Sequence, residues 1–279
     1  MKNRIPVVVR AVSIAFILLW SIVPIYWALK GSLQTEADAR AIPAKYFPDH
    51  PTLDSYASLL GGGGATSAQF LRSALNSIIE CGTATIVTIT IATLAAYAFS
   101  RMQFRGRSIL FYVVLITMAF PAYTTLIPLY QIMAALGLVN TYLGIILVQI
   151  SGFLPLATWI LHNYLGSLPK SLEEAGLIDG ATRMQVLGRI ILPLAWPGVV
   201  SATIITFLLA WSGFLFPLVL SSDISTQPLT VMVAGLQGLH TLPITLMNAA
   251  GVLVVIVPAV IALSLNRYIV NGLLAGSAK

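Results

Sequence analysis

The sequence predicts an all-α membrane protein with six transmembrane helices, and three observations predict it. Of its 279 residues, 58% are apolar and only 9% are charged; a soluble domain has about 45–50% and about 25%. The 15 Lys+Arg and 9 Asp+Glu cannot dress the surface of a soluble chain of this length. The apolar residues also fall into uncharged stretches, each close to the roughly 20 residues that cross a hydrocarbon core as a helix. Finally, the basic residues concentrate in alternate connecting segments, the pattern that sets orientation in a bilayer. An ordinary soluble enzyme and a disordered chain are excluded. An aqueous nucleic-acid binder is disfavoured despite a net charge of +6.

The six stretches cover residues 11–29, 78–99 (uncharged from Gly82 to Phe99), 109–129, 143–161, 196–220 and 244–265. Lipid offers no partner to backbone N–H and C=O groups, so each is expected to be helical. The first follows Lys2, Arg4 and Arg10, as a signal peptide would. Its apolar run exceeds the usual h-region of about 7–15 residues and no A-x-A site follows, so a retained span is expected. Pro121, Pro128, Pro155, Pro217 and Pro258 lie in or beside the later stretches and predict kinked helices in a packed bundle.

Orientation follows from the segments between spans. Segments 1–10, 100–108, 162–195 and 266–279 carry Lys2, Arg4, Arg10, Arg101, Arg105, Arg107, Lys170, Arg183, Arg189, Arg267 and Lys279. The opposite side carries only Lys30, Arg40, Lys45 and Arg72. Both termini are therefore expected in the cytoplasm, and the pI of 9.6 reports topology. Segment 30–77 becomes an extracytoplasmic loop. Its run Gly61–Gly64 has no strand before it, and no Gly-Lys pair occurs in the chain, so this is no P-loop ATPase. Arg101–Arg107 reads as an orientation anchor. Cys81 has no metal-ligand spacing around it and reads as a small packed residue.

The segment 162–195 is too long for a simple turn between helices. Ser171 and Glu174 form a capping-box pattern that predicts a short helix from Leu172 to Ile178. Asp179-Gly180 signals a turn, with Asp179 able to cap a second helix from Ala181 to Leu192 that stops at Pro193. Met184, Leu187, Ile190 and Ile191 give that helix one apolar face. By spacing alone, such a pair is either a docking knob under the membrane or an interfacial pair lying on headgroups.

Glu174-Ala175-Gly176, then Asp179-Gly180-Ala181, then Ile190-Ile191-Leu192-Pro193 resembles the signature of ABC importer permeases, with Gly176 where a second Ala is usual. The Asp-Gly-Ala form points to the carbohydrate branch, and the whole chain is most similar to the second, shorter permease of maltose-type importers. Further landmarks are Asn76-Ser77, Ala95–Arg101, Ile127–Tyr130, Gly137–Thr141 and Arg267–Leu273. The fifth-span landmark reads Trp211-Ser212-Gly213-Phe214, with Ser212 where the family has Asn.

The resemblance implies a type I ABC importer permease fold over a single domain, residues 1–279, with a cytoplasmic coupling-helix loop. It implies a non-catalytic subunit of the inner membrane. Its partners would be a second permease, two cytoplasmic ATPase subunits carrying ATP and Mg, an extracytoplasmic solute-binding protein, and membrane lipid. No cofactor is expected on this chain. Glu173, Glu174, Ala175, Gly176, Asp179, Gly180 and Ala181 would couple it to the ATPase.

Pathway-lining candidates are Tyr123, Thr124, Gln149, Asn163, Trp211, Ser212, Phe214 and Asn248, since sugars take hydrogen bonds and an aromatic face; helix packing is the plainer role for each. Glu80 reads as an exposed interface position rather than an ion site. His50, His162 and His240 are scattered and suggest no metal. A sugar or sugar-like solute is the leading expectation. The alternatives are glycerol phosphate or glycerophosphodiesters through the same type of permease, or a secondary carrier. The last would need buried ionisable relays, and the spans carry none.

Overall fold

The computed structural model describes residues 7–61, 63–237 and 243–277, with backbone alone at 7, 237 and 266–277. Lys2, Arg4, Gly62, His240, Lys279 and the side chains of Arg267–Leu273 lie outside the described residues. Every regular element among the described residues is a helix. In order they are α1 (Val7–Ser32), α2 (Glu36–Ala39), α3 (Asp54–Leu60), α4 (Ala65–Arg101) and α5 (Arg107–Ile116), which ends in a 3-10 turn. Then come α6 (Ala122–Ala135), α7 (Tyr142–Ser167), α8 (Ser171–Ile178) and α9 (Arg183–Val186). A π turn (Leu187–Ile191) leads into α10 (Leu192–Trp211), followed by α11 (Leu215–Leu220), α12 (Leu229–Gln237) and α13 (Ile244–Ser277). Five helices are long and apolar enough to cross a membrane, six if one bent pair is a single span. The most lipid-like is α1: its apolar residues are exposed all round, Trp20 at 74%.

Two expected spans are corrected. Residues 109–129 are not one helix, because α5 with its 3-10 turn meets α6 at 99°. Pro121 has no N–H to continue the ladder, and it holds Phe120 in extended backbone (φ −71°, ψ 121°). The fifth span is displaced from 196–220: the helix runs from Arg183 to Trp211 and α11 is separate. A continuous helix would drive the Pro217 ring into the Gly213 carbonyl. That carbonyl instead accepts the Thr230 hydroxyl at 3.0 Å.

Two compact units make up the chain: Met1–Leu71 with Met232–Val257, and Arg72–Val231 with Pro258–Lys279. In the first, the Glu36 carboxylate accepts the backbone N–H groups of Ile244 (3.3 Å) and Thr245 (3.4 Å), capping α13. Burial pushes the Glu36 carboxyl upward, but Arg40 and those N–H groups outweigh it and hold it below the ordinary range. Lys45 donates to Asp38 and Asp49 at 2.5 Å each. This hydrogen bonding pushes Lys45 up to about 12. In return, Lys45 holds Asp38 below the usual carboxylate range.

In the second unit, small residues let helices approach closely: Ala92 and Ala96 on α4, Ala157 on α7, and Ala195 and Ala202 around α10 are all fully buried. At Gly198 a Cβ would overlap the Tyr164 ring. Glu80 also differs from expectation. Because α4 begins at Ala65, Glu80 lies well inside the helix, on the packed face with Asn76, Ser77, Ala84 and Thr88, and it is fully buried.

Candidate functional site

The loop between α7 and α10 folds as two helices around a tight corner, and its motif spacing is a chain of local requirements. Lys170, itself helical (φ −70°, ψ −28°), takes the N-cap position of α8. Ser171 is thus already in the first turn, and the expected Ser171–Glu174 capping box does not form. At the other end Asp179 is the C-cap and Gly180 adopts φ +84°. Gly180 N–H donates to the Leu177 carbonyl (3.1 Å) and Ala181 N–H to that of Gly176 (3.0 Å). This is a Schellman closure, which places its left-handed residue one position past the cap and favours Gly there. Asp179 therefore ends α8 instead of opening the second helix. Thr182 opens it in a full capping box: Thr182 Oγ1 accepts Gln185 N–H at 3.3 Å, and Gln185 Oε1 accepts Thr182 N–H at 2.8 Å.

The second helix does not stop at Pro193. Proline in a regular helix lacks its donor and clashes with the carbonyl four residues back. The π turn at Leu187–Ile191 widens the helix by one residue just before Pro193, which lands at the start of α10. Arg183–Trp211 is consequently one unbroken rod.

The seven motif residues divide by exposure. Glu174, Ala175, Asp179 and Gly180 are exposed, beside Ile178 at 85%. Glu173 and Gly176, one turn apart, are buried, and Ala181 packs on the core. A Cβ at Gly176 would lie 2.7 Å from Ile190 Cδ1 and 3.2 Å from Val186 Cγ2. The departure from the usual Ala is thus a closer seating of α8 on the rod. Glu173 Oε1 accepts the Tyr97 hydroxyl at 2.7 Å. Its carboxylate also lies 3.9 Å from Arg101 Nε and 3.7 Å from Arg183 Nη1. Arg101 in turn donates to the carbonyls of Leu165 and, at 2.8 Å, Leu168. From the sequence, Tyr97 is only a landmark, and Arg101 a landmark and part of an orientation anchor. The signal for their role was a tyrosine and an arginine one turn apart at the charged end of a span.

A second polar cluster fixes the segment between α11 and α12. Asn76 Nδ2 donates to the carbonyls of Ile224 (3.2 Å) and Gln227 (3.0 Å), and its Oδ1 accepts the Tyr142 hydroxyl at 2.7 Å. Ser77 Oγ accepts Leu229 N–H at 2.7 Å. Asn140, at φ +57°, donates to the Leu220 carbonyl (2.8 Å) and accepts Ser222 N–H at 2.7 Å. The Asn76-Ser77 and Asn140 landmarks are therefore staples for one segment.

The pathway candidates take different local settings. Tyr123 is 79% exposed, Gln149 is buried, Trp211 is buried and stacked on Phe207 (5.8 Å between centroids), and Phe214 is 41% exposed. Ser212 Oγ donates to its own helix at the Leu209 carbonyl, 3.1 Å away. Asn248 is packed against Gly31, where a Cβ would overlap its amide. Among the described residues no group of His, Cys, Asp and Glu is placed to hold a metal.

A helical, multi-pass membrane subunit with an exposed two-helix corner is the class these features define. The chain belongs to the family of inner membrane components of binding-protein-dependent transport systems, which matches residues 88–274. It is 35% identical to the osmoprotective compounds uptake permease protein GgtD of Synechocystis sp., over 99% of this chain and 93% of that protein. It is 34% identical to the trehalose/maltose transport system permease protein MalG of Thermococcus litoralis, over 99% and 97%. The sulfoquinovosyl glycerol transport system permease protein SmoH of Agrobacterium fabrum is also 34% identical, over 97% and 93%. A solved bacterial ABC transporter involved in import of the polysaccharide alginate shares the fold, with a TM-score of 0.77 and 24% identity over 93% of this chain and 94% of that one.

Proposed function

We propose that this chain is the permease subunit of an ATP-driven importer for a sugar or sugar-like solute. With a second permease it lines the pathway, and its 171–192 loop docks on a cytoplasmic ATPase that carries ATP and Mg. The carrying observation is α8, a two-turn helix locked on its inner side by Glu173 and Gly176 while Glu174, Ala175, Ile178 and Asp179 stand bare. An exposed apolar residue ringed by carboxylates on a rigid corner suits a groove on a partner better than anionic headgroups, which would repel Glu174 and Asp179. The charge count of the segments supports placing that corner, and both termini, in the cytoplasm. The solutes named for its relatives, trehalose/maltose and sulfoquinovosyl glycerol among them, support the carbohydrate class.

The test is co-purification of the ATPase with tagged permease, wild type against Glu174→Ala and Gly180→Pro. Undiminished recovery and uptake in both variants would overturn the docking reading. For the solute, the cognate binding protein is titrated with maltose, trehalose, a glycosyl glycerol and glycerophosphocholine. Saturable binding of the last alone would replace the sugar assignment by a phosphodiester.

A further inference from the structure

We infer that Tyr97, Arg101 and Glu173 form a strut that carries movement of the ATPase-facing corner into α4 and α7, separately from the surface that grips the ATPase. This rests on the docking reading of α8 proposed above. Along the backbone, α8 joins the spans only through the turn after α7 and the corner at Gly180, and both are bends in the chain. A push on α8 reaches the rod through the seat of Gly176 on Ile190 and Val186, but α4 and α7 need a tie of their own. The direct tie to α4 is made of side chains: the Tyr97 hydroxyl reaches Glu173 across 76 residues of sequence.

Three properties suit this tie to transmitting movement. It is dry: Tyr97 is 4% and Glu173 6% exposed, and the Arg101 side chain is 1% exposed, so water does not compete for the bonds. It is branched: Arg101 Nη2 holds the Leu165 and Leu168 carbonyls at the end of α7, so one guanidinium engages two spans where α8 begins. It also has room to tighten. Arg101 Nε and Nη1 make no hydrogen bond among the described residues, while Glu173 Oε2 stands 3.9 Å from Nε. A shift of about 1 Å would turn that ion pair into a charge-assisted hydrogen bond. A contact with two such discrete settings can convert a small displacement into a change of state. None of the exposed residues Glu174, Ile178 or Asp179 takes part, so gripping and transmitting are separable. Tyr97, Arg101 and Glu173 are positioning residues in this scheme.

The experiment uses the complete transporter in proteoliposomes: both permeases, the ATPase, and the binding protein purified with the solute it carries. Tyr97→Phe, Glu173→Gln and Glu173→Ala are compared with wild type for ATPase recovered per permease, basal ATP hydrolysis, and hydrolysis stimulated by the binding protein. The expected result is unchanged ATPase recovery and basal hydrolysis in Tyr97→Phe, with stimulation reduced about tenfold in Tyr97→Phe and Glu173→Ala, a size typical of coupling between sites. Glu173→Gln keeps an acceptor for Tyr97 but loses the charge facing Arg101, and is expected to fall between. A merely structural role would lower recovery of the complex and leave the ratio of stimulated to basal hydrolysis intact. If Glu173→Ala does not assemble, Tyr97→Phe, which lacks a single oxygen, carries the test. Stimulation within about twofold of wild type in Tyr97→Phe overturns the strut. Failure of the wild-type permease to retain the ATPase overturns the docking reading instead.

Discussion

The two halves of α4 each bury a glutamate, and they treat it differently. Toward its N-terminal half, Glu80 is fully buried and neither carboxylate oxygen finds a hydrogen-bond partner among the described residues. At its C-terminal end, Glu173 arrives from α8 with the same side chain and nearly the same burial, and meets a hydroxyl and two guanidinium groups. Burial of a carboxyl costs several kcal/mol unless bonds replace the lost water. At Glu173 they largely do, so that position is part of a built structure. At Glu80 they do not, so that position lowers stability, and the packed Asn76, Ser77, Ala84 and Thr88 around it on α4 carry the helix regardless.

Removing each carboxylate reads this difference directly. Glu173→Ala leaves the Arg101 guanidinium buried without its counter-charge and is expected to cost about 3 kcal/mol. The check is a fall in apparent melting temperature of the purified permease, and no fall would mean that the Arg101 contact is not formed in solution. Tyr97→Phe removes one hydrogen bond to the same carboxylate, at about 1–2 kcal/mol, and its effect should shrink in the Glu173→Ala background if the two residues act on one bond. Glu80→Met runs the other way. It replaces two unbonded oxygens by an apolar chain of similar length, and the melting temperature should rise by the equivalent of about 1 kcal/mol. A drop as deep as that of Glu173→Ala would show that Glu80 is bonded after all.

The smallest effect belongs to the Asp38–Lys45–Asp49 cluster, where Asp38 is buried but the half-exposed Lys45 and the exposed Asp49 let solvent weaken each pair. Asp38 is held below its ordinary value. Its contribution is complete above about pH 4 and disappears as pH falls through the folded-state value. Lys45 is raised from 10.5 to about 12, so its share is complete below 10.5 and is lost as pH rises through about 12. Protection of residues 36–50 from hydrogen exchange, corrected for intrinsic rates, should be flat from pH 5 to 9 and fall in acid. Asp38→Asn should lower the plateau and flatten the acid step.

The membrane class and the presence of long helices at α1, α4, α7 and α13 were legible because lipid imposes one rule, a long uncharged helix, but the start of α4 at Ala65 was not. The corner was legible because Gly180 is a demanding residue with few places to go. What escaped the sequence is contact across long separations. Glu173 and Glu174 are neighbours in one charged pair, yet a 100° step around α8 sends one to Tyr97 and the other into solvent. Pro193 read as a stop because proline is costly in a regular helix, and the π turn that relieves it has no composition of its own. The same limit applied to Pro121 and Pro217: each was read as a kink within a span, but packing turned the chain through 99° around Pro121 and set α11 apart before Pro217.

The π turn has one more consequence, in angular terms. One extra residue advances a helix by about 100° about its axis, so the heading of α8 around the rod is set by a residue count between Leu187 and Ile191. Restoring a regular turn there by deleting one residue would keep the sequence of the exposed face and turn its heading about the rod. In this loop chain length acts as an instruction of direction, and an insertion or deletion is a steering error before it is a packing defect.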